Sequence, residues 1–275
     1  MNLFEYASTK CKVHPEILGY YYMNNLTPNK LNELNKSDFV FISSDFAVPI
    51  LGCTAKQFMT SAEYPDSYMW LLQDYSSLSQ FPASELTDIP TIGFVGRCPV
   101  FRMPDGSNQL HRGFKPRYKA LQALMQSNDI CTDFHIRSDP AGDSCGFWNT
   151  SLPNYKRDGP LFKTNMLANQ YQVCARGNAN WSLRFFETLA YGRIPVYVES
   201  GGMIPTDWKF GNLADREVPF VYVKNVNNIE QNILDFHSNI TDIEKTQREC
   251  RDWYTDYCSY PAQNESFDEV FGGAG

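Results

Sequence analysis

The stretch from Tyr171 to Val198 constrains the fold most, because its pattern is strand, polar loop, helix, glycine turn and strand. Its first four residues form a short apolar run, and Ile194 to Val198 is a second run typical of strands buried on both faces of a parallel sheet. Asn180 or Ser182 can cap the helix between them, and Gly192 stands where a glycine commonly ends a helix. The pattern therefore predicts a helix N-terminus at the carboxyl edge of a sheet.

Such a helix N-terminus is a common site for phosphate groups. The loop and first turn carry Arg176, Ser182 and Arg184, and Glu187 lies one turn further on. Guanidinium groups bind phosphate in a bidentate manner that lysine cannot copy. We therefore expect the arginines and Ser182 to hold a nucleotide diphosphate, and Glu187 to accept hydrogen bonds from the ribose hydroxyls.

The composition favours a globular protein and argues against a polyanionic partner. The chain has 275 residues, which suffice for one large domain or two modest ones, and 43% of them are hydrophobic. Its net charge is −7, so we expect no nucleic acid partner.

Neither a targeting signal nor a membrane span is evident. No apolar run approaches the roughly 20 residues of a membrane helix, and the first ten residues lack the features of a signal peptide. The eight cysteines contain no Cys-x-x-Cys pair, which favours free thiols in a reducing compartment. We therefore predict a cytoplasmic protein.

Strand-like and helical stretches alternate along the chain, which predicts an α/β fold of two domains across a cleft. The polar, proline-containing stretch 82–90 suggests a boundary. It gives an N-terminal acceptor-side domain (1–88), a C-terminal nucleotide-sugar-binding domain (89–258) and a C-terminal tail (259–275). Further strands are predicted at 38–43, 91–98, 130–136 and 219–223, helices at 29–36, 66–78, from Pro116 onward, 229–236 and 241–257, and a long loop at 137–160.

Residues 91–258 resemble the C-terminal domain of the exostosin-like glycosyltransferases, family 47. The resemblance is carried by Phe-Val-Gly-Arg at 94–97, by Arg117 at the start of a helix, and by a spaced block. That block reads Arg176-Gly, Ser182-x-Arg-Phe-x-Glu-x-Leu and Gly192-x-x-Pro-Val. The N-terminal third matches poorly, and the membrane anchor usual in eukaryotic members is missing, which favours a soluble form from a virus or microbe.

The resemblance implies a GT-B fold, in which two Rossmann-like domains face a cleft and the sugar is transferred with inversion. It adds Arg97 and Arg117 to the nucleotide-sugar-binding residues, with UDP-sugar as donor substrate and no further cofactor. Family donors include the UDP forms of galactose, glucuronic acid, xylose and arabinose, and a compact site would favour a pentose such as xylose.

Two alternatives stand beside these assignments. An Arg–Glu pair three residues apart is ordinarily a structural or solvated ion pair, and Arg117 could be a surface residue of its helix.

No Asp-x-Asp pair occurs to hold a metal on the diphosphate, which predicts metal-independent transfer. Asp133, Asp139 and Asp143 could form a metal cluster, but a solvated loop is the simpler interpretation.

Inverting transfer needs a general base that takes the proton from the acceptor hydroxyl. Asp45, just after the strand at 38–43, is our first choice, because the carboxyl end of a strand faces the expected cleft. Asp74, Glu63 and His14 are the alternatives.

The leading hypothesis is thus an inverting, metal-independent glycosyltransferase that acts on a UDP-sugar and a glycan hydroxyl. A catalytically inactive nucleotide-sugar- or glycan-binding protein is the alternative. A Rossmann-type epimerase or dehydrogenase is disfavoured, because no Gly-x-Gly-x-x-Gly follows a strand.

Overall fold

The computed structural model describes most of the chain. The described residues are 1–16, 18, 26–42, 50–51, 53–59, 67–69, 82–98, 100–102, 108–110, 112–137, 153–177, 182–199 and 219–271. The chain divides into two compact units: unit 1 comprises 1–77, 201–217 and 255–275, and unit 2 comprises 78–200 and 218–254.

Unit 1 contains a parallel three-stranded sheet flanked by helices from both ends of the chain. Its strands pair in chain order, and its helices include the last one described. The strands are β1 (Phe39–Ile42), β2 (Lys56–Met59) and β3 (Ser67–Met69); the helices are α1 (Leu3–Lys10), α2 (Pro28–Leu34) and α8 (Tyr260–Phe271). The predicted helix 66–78 is therefore wrong at Ser67–Met69, which pair with β2 as a strand, and its other residues lie outside the described part.

Unit 2 is built on a parallel five-stranded sheet. The strands are β4 (Thr91–Arg97), β7 (Cys131–Arg137), β8 (Tyr171–Ala175), β9 (Ile194–Val198) and β10 (Val221–Val223). A short antiparallel hairpin, β5 (Val100–Arg102) and β6 (Asn108–Leu110), follows β4. The helices are α3 (Lys115–Met125), α4 (Pro153–Ala168), α5 (Leu183–Ala190), α6 (Ile229–Ser238) and α7 (Ile243–Tyr257), whose residues up to Tyr254 belong to this unit.

The order of strands in the larger sheet is β10-β9-β8-β4-β7. From β4 the chain moves to one side to form β7, and from β8 it moves to the other side to form β9 and β10. The order reverses between β4 and β8. In open parallel sheets, ligands bind outside the carboxyl ends of the strands at such a switch point.

The α/β class with a parallel sheet is confirmed, and so are the strands and helices predicted between Thr91 and Phe236. One exception is the loop predicted over 137–160, because α4 already begins at Pro153 and has Pro160 in its interior. Within the part of the chain described here, no helix has the length and apolar character needed to cross a membrane.

The two strands and the helix predicted between Tyr171 and Val198 are confirmed. Gly192 has φ of 60°, and its amide donates to the Leu189 carbonyl while the Arg193 amide donates to that of Thr188 at 2.9 Å. These two bonds form the Schellman motif, which requires a left-handed residue that glycine adopts without strain. The motif turns the chain directly into β9.

Candidate nucleotide site

Arginines occupy the carboxyl end of the sheet at the switch point. Arg97 is the last residue of β4, and Arg176 directly follows β8. The two strands pair only at their beginnings, through Ile92 with Tyr171 and Gly93 with Gln172. Both strands end at the carboxyl edge of the same parallel sheet, so Arg97 and Arg176 lie at the edge where ligands bind to such sheets.

Arg117 bridges the two strand ends from the first turn of α3. Its Nη1 donates to the Arg97 carbonyl and its Nη2 to the Ala175 carbonyl, both at 2.8 Å. The guanidinium also lies over the rings of Phe114, at 5.0 Å, and Phe94, at 5.4 Å. Arg117 is therefore no surface residue of its helix: its guanidinium is enclosed between backbone and aromatic rings.

Burial of the Arg117 guanidinium raises the free energy of its charged form. Burial is the main cause that lowers the pKa of Arg117 from 12.5 to about 10, and the nearby charge of Arg184 lowers it further. Two guanidinium groups thus lie close together at the switch point. A bound anion would relieve this repulsion.

Arg184 and Glu187 form a buried ion pair on α5. Arg184 Nε donates to Glu187 Oε2 at 2.8 Å, and the two side chains are 12% and 6% exposed. Arg184 Nη2 donates to the Val95 carbonyl at 2.9 Å, and its guanidinium lies 4.5 Å from the Phe162 ring centroid. The pair is buried rather than solvated, and it fastens α5 to the carboxyl half of β4.

Ser182 occupies the N-cap position of α5 without capping it. Its side chain makes no hydrogen bond to the helix backbone, although the residue is only 5% exposed. Among the residues described, its Oγ has no hydrogen-bond partner. Because a buried hydroxyl without a partner costs free energy, such a group at a helix N-terminus suits an anion.

Arg137 is a further arginine at this edge, and sequence reasoning missed it. It is the last residue of β7 and pairs with Arg97 across the sheet. Partners in parallel strands leave the same face of the sheet, so both side chains project on one side. The signal in the sequence is an arginine directly after the strand predicted at 130–136, whereas the neighbourhood of that strand with β4 is known only from the sheet.

The predicted base lies outside the described residues, as do the alternatives Asp74 and Glu63. His14 is described: it is 3% exposed, and its Nδ1 accepts a hydrogen bond from the Glu16 amide at 3.3 Å. Asp45 stays a prediction.

The interpretation of Asp133 as a residue of a solvated loop is wrong, because Asp133 lies within β7. Its Oδ2 accepts from Asn165 Nδ2 at 2.7 Å and from Asn169 Nδ2 at 3.1 Å, and its Oδ1 lies 3.0 Å from His135 Nε2. Asp139 and Asp143 lie outside the described residues. Across the described ranges, no three His, Cys, Asp or Glu residues converge as metal ligands would.

Comparison with known proteins gives similarities of fold at low identity. No family model matches the chain, and no curated protein matches it. A glycosyltransferase from Rickettsia africae ESF-5 is similar with a TM-score of 0.47 and 10% identity, over 91% of this chain and 83% of that one.

Two other solved structures show weaker similarity. The spinosyn rhamnosyltransferase SpnG, complexed with spinosyn aglycone, has a TM-score of 0.39 and 11% identity, over 83% of this chain and 67% of its own. TarM has a TM-score of 0.36 and 12% identity, over 91% of this chain and 57% of its own.

Proposed function

We propose that the chain is an inverting glycosyltransferase of GT-B type. It transfers a sugar from a UDP-sugar to a hydroxyl of a glycan acceptor. The observation that carries the proposal is the convergence of Arg97, Arg117, Arg176 and Arg184 on the switch point between β4 and β8. Positive charge fixed at that edge of a parallel sheet suits a nucleotide diphosphate.

The donor side follows from these positions. Arg97 and Arg176 flank the diphosphate, and the helix N-terminus with the Ser182 hydroxyl completes the phosphate contacts. Glu187, one turn into α5, accepts hydrogen bonds from the ribose hydroxyls. The ion pair with Arg184 holds its carboxylate in a defined position.

In the transfer step, the acceptor hydroxyl loses its proton to a base, and its oxygen forms a bond to the anomeric carbon. The bond from that carbon to the diphosphate oxygen breaks, and UDP leaves with the electron pair. Positive groups held in place at the leaving oxygen stabilise the charge that develops there. The arginines supply this charge, so we propose transfer without a metal ion, with Asp45 as base and UDP-xylose among the donors.

The proposal is tested by UDP binding and by turnover. Isothermal titration should show UDP binding. In a turnover assay with an acceptor glycan, UDP should be released from the UDP form of xylose, galactose, arabinose or glucuronic acid. This release should continue when excess EDTA is added to remove metal ions. Asp45→Asn should bind UDP and lose turnover. UDP binding without turnover of any donor would instead support a nucleotide-sugar-binding protein.

Arg176→Ala tests the phosphate site itself. It should weaken UDP binding by about 2 kcal/mol or more, as expected for a lost charged contact. Arg184→Ala would in addition break the buried ion pair with Glu187, and would so mix two effects. Arg248→Ala, which removes an exposed arginine of α7, is the matched control and should bind UDP normally. No UDP binding by the unaltered chain would refute the proposal.

A further inference from the structure

The carboxyl halves of β4 and β8 part from each other although they are neighbours. Their pairing ends after Gly93 and Gln172, while the strands continue to Arg97 and Ala175. Buried carbonyls that lose strand partners need other donors. Guanidinium groups supply them here.

Arg117 is the group that reaches both strands. Two nitrogens of one planar fork donate to the Arg97 carbonyl and to the Ala175 carbonyl at the same distance of 2.8 Å. The guanidinium is rigid, and the rings of Phe114 and Phe94 lie against it. It therefore holds the two strand ends at a fixed distance from each other. We call the Arg117 guanidinium in this position the strut.

The chain directly after β8 also lies close to the Arg117 guanidinium. A β-carbon added at Gly177 would lie 3.2 Å from Arg117 Nη2 and 3.4 Å from the Phe114 ring. Because only a glycine fits here without displacing a neighbour, the backbone that carries Arg176 follows the guanidinium closely. The position of Arg176 thus depends on Arg117.

We propose that Arg117 is a positioning residue of the nucleotide-sugar site, and that it acts through Arg97 and Arg176 rather than by contact with the phosphates. This inference rests on the proposed function. Both Nη groups of Arg117 donate to backbone carbonyls, and these carbonyls belong to Arg97 and to the residue before Arg176. The strut sets the distance between the two arginines that flank the diphosphate.

The first experiment compares UDP with uridine, which lacks the phosphates. In Arg117→Gln, titration well below the unfolding temperature should show UDP affinity reduced roughly tenfold, while uridine affinity stays within about twofold. Arg117→Lys should behave like Arg117→Gln, because an ammonium group cannot span two carbonyls as a planar fork does.

A double-mutant cycle separates positioning from direct contact. In an Arg97→Ala/Arg176→Ala background, adding Arg117→Lys, which keeps the positive charge, should leave the remaining UDP affinity unchanged, because the groups that Arg117 positions are gone. A further loss in that background would show that Arg117 contacts the phosphates, and would overturn the inference.

Gly177→Ala gives a test that keeps every arginine. Its backbone needs no positive φ, since among the glycines described here only Gly192 has one. The added methyl group should displace the strut and lower UDP affinity, with uridine affinity unchanged. This variant decides the question if Arg117→Gln fails to fold.

Arg193→Gln is the matched structural control. Arg193 is fully buried, and its guanidinium also binds backbone carbonyls, those of Pro82, Met166 and Leu167. It precedes β9, so it lies at the amino end of the sheet. This variant should lower the melting temperature without changing the ratio of UDP to uridine affinity.

The outcomes distinguish the two proposals. If the unaltered chain does not bind UDP, the proposed function fails and this inference fails with it. If the unaltered chain binds UDP but Arg117→Gln and Gly177→Ala keep the same ratio of UDP to uridine affinity, only the positioning role is wrong.

Discussion

Several arginine side chains in unit 2 form hydrogen bonds with the protein backbone. Arg117, Arg184 and Arg193 all donate to main-chain carbonyls, and burial lowers the pKa of Arg193, like that of Arg117, to about 10. A buried guanidinium can satisfy several carbonyls at once because its donors form a planar fork. At the residue scale, an arginine in a site motif can therefore shape the site without touching the ligand.

Buried thiols give the stability a defined pH dependence. Among the described residues, burial raises the pKa of the four buried cysteines, and it raises that of Cys174 from 9.0 to about 12. The four are Cys98, Cys174, Cys250 and Cys258. A thiol whose pKa is higher in the folded state stabilises the fold fully below the unfolded value and loses that contribution as pH rises through the folded value.

We therefore expect the free energy of unfolding to fall between about pH 8 and about pH 10, as unfolded thiols ionise and folded ones do not. The lowered pKa values of Arg117 and Arg193 act in the opposite direction, but only above about pH 10. Urea unfolding under reducing conditions measures the slope. Cys174→Ala should make it shallower, and an unchanged slope would contradict the assignment.

The helices of this protein differ in whether the N-cap side chain forms a hydrogen bond with the helix backbone. Thr27 caps α2 conventionally, because its Oγ1 accepts a hydrogen bond from the Lys30 amide at 3.3 Å. Ser182 caps nothing, and its hydroxyl is buried without a partner in the described part of the chain. The two positions look alike in sequence, but only the Thr27 side chain stabilises the start of its helix by a hydrogen bond.

Ser182→Ala should therefore leave the free energy of unfolding unchanged or raise it, and should lower UDP affinity by about 1 kcal/mol because a hydrogen bond to the ligand is lost. Thr27→Ala is the matched control. It should cost about 1 kcal/mol of stability, as removal of a conventional cap does, and leave UDP affinity unchanged. Urea unfolding and titration with UDP measure both variants; a loss of stability in Ser182→Ala with full UDP affinity would show an ordinary cap.

At the scale of the molecule, unit 1 is assembled from distant parts of the chain. Phe267 and Phe271 of α8 pack on Phe39 of β1, with ring centroids 5.4 and 5.1 Å apart, and Tyr6 donates a hydrogen bond to Asp268. The residues we assigned to a C-terminal tail, 259–275, thus include a helix that packs in unit 1. The predicted boundaries at 88 and 258 stay predictions.

Phe267→Ala should consequently destabilise the protein strongly. Phe267 is 1% exposed, and truncation of a buried phenylalanine costs about 3–5 kcal/mol. Val270→Ala, on the same helix but 47% exposed, should change the free energy of unfolding by less than about 0.5 kcal/mol. Urea unfolding of both variants gives the comparison, and equal effects would show that α8 does not belong to the core.

The sequence predicts most of unit 2 because its signals are local. Apolar runs of strand length, a proline at the start of α3 and Gly192 at the end of α5 all act within a few residues. The same signals were misleading in 66–78, where the pairing of Ser67–Met69 with β2 overrides a helical pattern. Strand pairing depends on residues far away in the chain, so local periodicity does not reveal it.

The sequence alone determined that arginines, a serine and a glutamate gather around one strand–loop–helix–strand unit. Only the tertiary structure decided what each arginine does: Arg117 spans the parted ends of β4 and β8, Arg184 pairs with Glu187, and Arg137 joins the edge beside Arg97. The physical reason is that strand order and register bring these groups together across gaps of many residues. Spacing in a motif records which residues are near in the chain, whereas the parallel sheet sets which are near in space.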